Sequence, residues 1–474
     1  MYKLSRRGFM IRKKPETILE ISKLKSELMV KPYQPYNYVK EVEEYPVYQE
    51  DEKYLYIPRH YGIKKYGVPE KISKWKNEDS NFKFLSKLRD YQLEIVDIVI
   101  PKILNEGGGM LCLPCGYGKT ITSLYIASVI KKKTLVIVHK NFLLNQWVER
   151  IKEFTDAKVG VIVQDKVEIE GNDIVIGMLQ SISKEKYSES LFKKFGFVIF
   201  DEAHHAPSKF FSRSLPLIAS EFSLSLTATP NRSDKLEKII YWYMGDILYQ
   251  VKKKKERDVL VKMYDYKSSH KNFKEYVIHY SGDINLPKTI TKLSELIKRN
   301  KLIVNIICDI LKDDRRHILV LSDRISHLES LKEMLMEKGV SDCDFYIGRM
   351  KQKDLDIAQN KKVLLGSYAM ACEALDIPSL NTLIMVTSRS NIEQSVGRIL
   401  RSQDDEIQPL IIDISDKLGC FQGQSRKRIN YYRKHNYKII KYFTEEDKIV
   451  GEFDMSKKSI KESEIKVDEI DFID

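Results

Sequence analysis

Short apolar runs alternate with stretches of helical periodicity along two long blocks of this 474-residue chain. The first block spans residues 84–261 and the second spans residues 264–442. Apolar runs of strand length that lack polar alternation are typical of strands buried on both faces, and helices between them are typical of parallel sheets. The pattern therefore predicts an α/β fold built from two parallel sheets, each flanked by helices.

The runs give specific expectations for strands and helices. In the first block the predicted strands are Met110–Leu113, Thr134–Val138, Val159–Val163, Asp173–Ile176, Phe197–Phe200 and Ser223–Leu226. In the second block they are His317–Leu321, Lys362–Gly366, Thr382–Val386 and Pro409–Ile412. The predicted helices include Ile121–Ile130, Phe142–Phe154 and Thr289–Leu311.

Composition shifts divide the chain into four predicted segments: an accessory region (1–83), two sheet domains (84–262 and 263–444) and an acidic tail (445–474). The accessory region carries ten of the 27 tyrosines among scattered Lys and Arg. That mixture is typical of a nucleic-acid-binding surface. It is equally typical of a small domain that packs tyrosine rings and leaves their hydroxyl groups exposed to solvent, so both interpretations stay open.

The overall composition limits the functional class. Lys and Arg number 80 against 67 Asp and Glu, a formal net charge of +13 that favours a polyanionic partner. Neither a signal-peptide core nor an apolar run of about 18 residues is present, so we expect no membrane association and an intracellular location. The six cysteines are scattered as in a reducing compartment, and the Cys112–Cys115 pair lacks the second pair of a zinc site.

The segment Leu113–Thr120, LPCGYGKT, follows a predicted strand and opens a predicted helix, which is the context of a phosphate-binding loop. Its glycines let the backbone approach a phosphate, and the helix adds its positive end. Lys119 is placed to bridge the β- and γ-phosphates of ATP, and Thr120 to hold Mg²⁺. Leucine occupies the position of the usual first glycine. The predicted nucleotide-binding residues are Pro114, Cys115, Gly116, Tyr117, Gly118, Lys119 and Thr120.

Two acidic residues, Asp201 and Glu202, directly follow the predicted strand Phe197–Phe200. Ligands of doubly wound sheets bind at the carboxyl ends of the strands. We expect Asp201 to bind Mg²⁺ and Glu202 to orient or deprotonate the attacking water. The alternative is an ordinary capped helix, because acids are common at helix starts.

Two further elements fit the same chemistry. Thr227 and Thr229 follow an apolar strand, where their hydroxyls could report the state of the γ-phosphate; an ordinary turn is the alternative. Arg398 and Arg401 lie three residues apart in the second block and share a face if helical. A guanidinium supplied from a second domain would stabilise charge on the γ-phosphate, although such a pair also suits a surface or a DNA contact.

Together and in this order, the four elements resemble the motifs of superfamily 2 helicases. The likeness spans residues 84–415 and is nearest to the DNA-directed group of XPB-like and phage branch-migration translocases and the poxvirus transcript-release helicase. The opening LSRRGF and the late Arg428-x-x-Tyr431-Tyr432 resemble helicases encoded by large DNA viruses. Two departures stand out, because Ala374 replaces a usual glycine and Gln394 replaces the histidine of many RNA-type members.

The resemblance implies two tandem RecA-like domains that hold ATP and Mg²⁺ between them. It implies adenine contact by Gln92 and a nucleotide contact by Gln394. Implied nucleic-acid or coupling residues are His139, Lys140, Gln180, Ser181, Thr227, Thr229, Ser367 and Asp376. Catalysis is assigned to Lys119, Glu202, Arg398 and Arg401.

The resemblance further implies an ATP-driven helicase or translocase that prefers DNA to RNA. We expect a monomer that works with transcription or replication machinery, in the host cytoplasm, viral factory or virion. An RNA helicase or a transcript-releasing ATPase is the alternative within the same enzyme class. A binding scaffold with a dead ATP site, or a P-loop ATPase that moves something else, fits the intact motifs less well.

Overall fold

A computed structural model of the chain describes residues 2–33, 43–114, 117–184, 187–228, 234–251, 258–280, 282–348, 350–373, 377–400 and 406–455. The chain folds into two compact units, Met1–Lys252 and Lys253–Asp474. Five of the predicted site residues lie outside the described residues: Cys115, Gly116, Thr229, Asp376 and Arg401.

The first unit begins with a small antiparallel region. Its elements are β1 (Tyr2–Ser5), β2 (Gly8–Arg12), α1 (Ile18–Glu27), β3 (Met29–Val30), β4 (Tyr45–Pro46), β5 (Gln49–Glu50), β6 (Tyr54–Ile57) and α2 (Arg59–Tyr66). Strands β1, β2, β6 and β5 form one sheet in that order, and β3 pairs with β4.

The rest of the first unit is an α/β sheet. Its elements are α3 (Asp90–Glu106), β7 (Gly108–Cys112), α4 (Lys119–Ile130), β8 (Thr134–Val138), α5 (Asn141–Phe154), β9 (Val159–Val163), β10 (Lys166–Val167), β11 (Ile174–Met178), α6 (Leu179–Ser183), α7 (Glu189–Phe192), β12 (Phe197–Phe200), α8 (Ser214–Leu217), β13 (Phe222–Thr227), α9 (Lys238–Met244) and β14 (Ile247–Gln250). Among the described residues the sheet has the order β10-β9-β11-β8-β12-β13-β7-β14. All neighbours run parallel except β10, which is antiparallel to β9.

Alternate strand residues of the first unit supply two separate apolar cores, one on each face of the sheet. On one face Leu111 and Val136 pack with helices α3, α4 and α5. On the other face Met110 and Leu135 share a cluster with Phe9 of β2 and residues of α9. The amino-terminal region therefore belongs to the core of this unit and covers one face of its sheet.

Several tyrosines of the amino-terminal region are engaged in this packing. The rings of Tyr2 and Tyr66 stack 4.8 Å apart, and Phe9 contacts both. The buried Tyr45 donates its hydroxyl hydrogen to the carbonyl of Pro207 at 2.8 Å. These contacts favour a packing role for the three tyrosines over an open nucleic-acid surface.

The second unit repeats the α/β design. Its elements are β15 (Leu260–Lys267), α10 (Lys271–Lys274), α11 (Leu286–Ser294), α12 (Ile297–Ile310), β16 (Ile318–Ser322), α13 (Ile325–Glu337), β17 (Cys343–Tyr346), α14 (Gln352–Ala358), β18 (Val363–Ser367), α15 (Tyr368–Glu373), β19 (Thr382–Met385), α16 (Glu393–Ile399), β20 (Leu410–Asp416), α17 (Gly419–Lys434), β21 (Lys438–Glu445) and β22 (Lys448–Asp454). Across its described part the sheet order is β17-β18-β16-β19-β20-β15-β21-β22, and only the last pair is antiparallel.

The predicted fold class is confirmed: two parallel α/β sheets and a small amino-terminal antiparallel region are present. One predicted helix, Thr289–Leu311, is wrong in detail because the chain forms α11 and α12 with a break between them. At the break the buried Asn300 amide donates to the carbonyl of Ser294 at 2.8 Å and so satisfies the end of α11. Strand β22 also lies inside the range expected to be an acidic tail.

No helix in the described ranges is both long and apolar enough to span a bilayer.

Buried ion pairs organise the second unit. Arg299 makes two hydrogen bonds to Asp416, of 2.7 and 2.9 Å, and Arg428 donates to Asp413 at 2.8 Å. Arg428 also donates to the carbonyl of Arg389 at 2.8 Å, and the Tyr432 hydroxyl reaches Asp413 at 2.9 Å. The Arg428 network therefore ties α17 to the middle of β20 and to the loop that leads into α16.

Arg428→Leu should destabilise the second unit strongly. Removing one partner of a buried pair leaves the Asp413 carboxylate uncompensated, which costs about 3–5 kcal/mol. For a unit of this size the thermal midpoint should fall by about 6 °C or more, measured by scanning calorimetry of the full chain.

The matched control is Arg426→Leu, an exposed arginine on the same helix, which should shift the midpoint by less than about 2 °C. Equal midpoints for the two variants would mean that the buried pair contributes no net stability.

Candidate active site

Five neighbouring parallel strands of the first unit bring the candidate residues to one edge of the sheet. The strands are β11, β8, β12, β13 and β7, in that spatial order. At their carboxyl ends lie Gln180, His139, Asp201, Thr227 and Leu113, respectively. The motifs are far apart in sequence, and the parallel register places them side by side at the edge where ligands of such sheets bind.

The turn between β7 and α4 requires glycine at one position. Gly118 has a φ of +69°, and a Cβ built there would lie 2.4 Å from Nε2 of Gln92. The next residue, Lys119, begins α4, and its Nζ donates to the carbonyl of Leu113 at 3.1 Å. Thr120 and Tyr117 are half-buried beside it, and Pro114 is exposed. The ammonium group of Lys119 therefore lies close to the backbone that follows β7.

Gln92 is buried on α3 and is fixed by two hydrogen bonds. Its Nε2 donates to the hydroxyl of Thr122 on α4 at 3.2 Å, and its Oε1 accepts the backbone N–H of Arg89 at 3.0 Å. A primary amide carries two donor hydrogens, and within the described residues Gln92 donates one of them to Thr122. The predicted adenine-contacting residue therefore lies against the predicted phosphate-binding turn.

The acid pair is buried at the end of β12. The Asp201 carboxylate accepts the indole N–H of Trp147 at 2.8 Å through Oδ2 and the backbone N–H of Glu202 at 3.1 Å through Oδ1. Glu202 has a φ of +49°, so its side chain leaves the strand in a direction that differs from that of Asp201.

Burial and the neighbouring Glu202 charge raise the pKa of Asp201. For Glu202 burial acts in the same direction, but the contact with His204 and the positive charge of Lys119 outweigh it and lower the pKa. Glu202 is therefore ionised at neutral pH and lies within the electrostatic influence of the lysine.

The oxygen donors of this edge suit a magnesium ion. Mg²⁺ prefers oxygen ligands and is bound by one or two carboxylates together with substrate phosphates and water. Asp201 supplies a buried carboxylate, and within the described residues each of its oxygens accepts one hydrogen bond, whereas a carboxylate oxygen has two lone pairs. The Thr120 hydroxyl would be the second protein donor. The residues fit the ion, and its charge would favour the ionised form of Asp201.

Three histidines connect the acid pair to neighbouring strand ends. Nδ1 of His204 lies 3.3 Å from Oε2 of Glu202 and 3.4 Å from the hydroxyl of Thr227. The His205 ring lies 4.3 Å from the His204 ring and 3.9 Å from the His139 ring. A line of polar contacts therefore runs from β13 through the acids to the end of β8.

The predicted nucleic-acid contacts of the first unit lie around the end of β8. Gln180 donates through its amide to the carbonyl of His139. Lys140 is half-buried and directly precedes α5. Ser181 is buried, and its hydroxyl accepts the backbone N–H of Gln164 at 3.0 Å, which ties it to the turn after β9.

The remaining predicted residues belong to the second unit. Ser367 ends β18, and its hydroxyl accepts the backbone N–H of Met370 at 3.4 Å. Gln394 is half-buried and Arg398 is buried, both on α16. The roles of these residues in nucleotide and nucleic-acid binding stay predictions.

Trp147 and His205 lie beside the acid pair, a position that the sequence motifs did not predict for either residue. Trp147 falls in a stripe of buried residues on α5, Leu143, Trp147 and Ile151, which is typical of core packing. The signal that could have identified it is the indole N–H, because a buried tryptophan usually finds an acceptor. His205 carries no comparable signal beyond its position next to the acid pair.

Comparisons with known proteins identify relatives of this chain. The family described as "Type III restriction enzyme, res subunit" matches residues 85–232. A putative ATP-dependent RNA helicase of Acanthamoeba polyphaga mimivirus is 38% identical over 458 residues, which cover 94% of this chain and 87% of the relative. A DNA 3'-5' translocase of the XPB type from Sulfurisphaera tokodaii is 38% identical over 164 residues, which cover 35% of this chain and 36% of the relative.

Among solved structures, an ATP-dependent type ISP restriction-modification enzyme bound to DNA aligns with a TM-score of 0.54 at 18% identity. The alignment covers 74% of this chain and 30% of that enzyme. At this identity the likeness concerns the fold.

Gly118→Ala should weaken nucleotide binding about tenfold or more, a loss of at least about 1.4 kcal/mol. The added Cβ would collide with the Gln92 amide, and a left-handed backbone is itself unfavourable for alanine. Binding of a fluorescent ATP analogue, followed by anisotropy, measures the effect.

Gly423→Ala is the control, since that exposed glycine on α17 has open space around it. The requirement for glycine at residue 118 is refuted if both variants bind the analogue with wild-type affinity.

Proposed function

The chain belongs to the superfamily 2 helicases, in the group encoded by large DNA viruses, and on that premise we propose that it uses ATP to translocate along DNA. The observation that carries the proposal is the acid pair at the end of β12, where an ionised Glu202 lies in the field of Lys119. The likeness to the mimivirus relative covers 94% of this chain and therefore extends over both units.

We assign roles in ATP hydrolysis to residues of the first unit. Mg²⁺ would be held by Asp201 and Thr120 and would neutralise phosphate charge when ATP is bound. Lys119 is a second positive group for the β- and γ-phosphates. Glu202 orients the attacking water and accepts its proton, a role that suits a carboxylate ionised at neutral pH.

Arginines of the second unit have a separate role in the proposal. Arg398 and Arg401 supply positive charge to the transferred phosphoryl group, as arginines do in other nucleotide hydrolases. Gln394 lies on the same helix as Arg398 and is proposed to contact the nucleotide. Hydrolysis then depends on the second unit as well as the first.

The proposed substrate is DNA, bound mainly through its phosphates. The net charge of +13 supports a polyanion, and phosphate contacts give weak sequence preference and strong salt dependence. Proposed strand contacts are His139, Lys140, Gln180, Ser181 and Ser367, with Thr227, Thr229 and Asp376 as coupling residues. The relative of the XPB type is named a DNA translocase. We also propose that the chain acts as a monomer alongside viral transcription or replication proteins.

RNA is the second candidate substrate, and one observation favours it. The mimivirus relative, which matches 94% of this chain, is named an RNA helicase. The two candidates use the same ATP chemistry and differ in which nucleic acid stimulates hydrolysis.

Steady-state ATP hydrolysis by the full chain tests the substrate. It is measured without nucleic acid and with single-stranded, duplex and forked DNA or single-stranded RNA, each at two salt concentrations. We expect DNA to stimulate turnover most, less so at high salt, and Lys119→Ala to abolish activity in every condition. Preferential stimulation by RNA would replace the DNA proposal, and indifference to every nucleic acid would overturn the motor function.

Glu202→Gln should lower turnover about 10²- to 10⁴-fold while leaving affinity for an ATP analogue within about threefold. The amide keeps the shape of the side chain but cannot accept the proton of the attacking water. Glu149→Gln on the exposed face of α5 is the control and should retain wild-type turnover. Near-normal turnover of Glu202→Gln would remove Glu202 from its proposed role.

A further inference from the structure

Trp147 occupies an unusual position for a core tryptophan. Its ring is buried on α5, 1% exposed, in the stripe with Leu143 and Ile151. Its indole N–H does not end at a backbone carbonyl but donates to Oδ2 of Asp201 at 2.8 Å. A residue of α5 thus reaches the proposed cation-binding carboxylate, 54 positions away in sequence.

The hydrogen bond restrains the orientation of that carboxylate. Asp201 is held at Oδ2 by the indole and at Oδ1 by the backbone N–H of Glu202, so both oxygens are anchored and the plane of the group is set. Both donors are electrically neutral, and the carboxylate is buried, 8% exposed. The free lone pairs are therefore directed by the protein and not by solvent.

We propose that Trp147 is a positioning residue that orients the Asp201 carboxylate for the divalent cation that accompanies ATP. The inference rests on the proposed function, because it assumes that Asp201 binds this cation. Donors that orient a metal-binding side chain from behind typically affect metal affinity 10- to 100-fold when they are removed. Trp147 is buried and acts through Asp201, so its loss should act on cation binding and not on nucleotide binding in the absence of metal.

The sharpest variant removes only the N–H. Replacing Trp147 with 3-benzothienylalanine, introduced by stop-codon suppression, puts sulfur in place of the indole nitrogen and keeps the volume of the ring. We expect affinity for Mn²⁺ to fall about 10- to 100-fold, measured by electron paramagnetic resonance with a saturating non-hydrolysable ATP analogue. Affinity for the analogue in excess chelator should be unchanged, as should the thermal midpoint.

Trp147→Phe is the second variant. It removes the N–H and part of the ring, so its Mn²⁺ affinity should fall by a similar factor, together with a lower thermal midpoint from the cavity. The control is the benzothienyl replacement of Trp242, a half-buried residue on α9 whose ring contacts Tyr61 and Lys238. It should bind Mn²⁺ as the wild type does.

The outcomes distinguish failure of the role of Trp147 from failure of the cation-binding role of Asp201. If the wild type binds Mn²⁺ with the ATP analogue and the benzothienyl variant at 147 binds it equally well, the role of Trp147 is refuted and the proposed function stands. If the wild type binds no cation with the analogue, the cation-binding role of Asp201 fails, and the positioning role fails with it.

Discussion

The parallel register of the first sheet is the constraint on which the candidate site depends. Strands β8 and β12 are buried along their whole length on both faces, so a slip of one residue would exchange their side chains between two differently packed cores. That register brings the ends of five strands to one edge and places Asp201 between the ends of β8 and β13. Apolar packing on the two faces of the sheet therefore determines where Asp201 and its polar neighbours lie.

Much of the fold could be predicted because the strands lack polar alternation. Thr134–Val138 and Phe197–Phe200 were predicted to the residue, since an uninterrupted apolar run has few alternatives. The break between α11 and α12 depends on Asn300 reaching the Ser294 carbonyl, which local periodicity cannot reveal. Strand β15 was missed because its Lys, Tyr and Asp residues, in LVKMYDYK, interrupt the apolar pattern although most of them are buried.

The candidate site likewise contains residues that the sequence could identify and contacts that it could not. Local motifs identify Lys119, Asp201 and Glu202, because each lies in a short segment whose residue types indicate its chemistry. The Trp147–Asp201 hydrogen bond and the His139–His205 ring contact join distant segments, so they become visible only in the folded chain. The roles of Gln394 and Arg398 on α16 stay predictions, because they concern contacts with a nucleotide and not contacts within the second unit.

The two adjacent acids are differentiated by their neighbours, and this difference suits two separate roles. Asp201 is buried beside the Glu202 charge and accepts hydrogen bonds from two neutral donors, so its charged form is favoured most when a cation is present. Glu202 turns away through its left-handed backbone toward His204 and stays ionised without a metal. Asp201 itself accepts the N–H of Glu202, so the carboxylate proposed to bind the cation also stabilises the turn that aims the proposed base. Binding of the cation and orientation of the base are therefore linked through a single side chain.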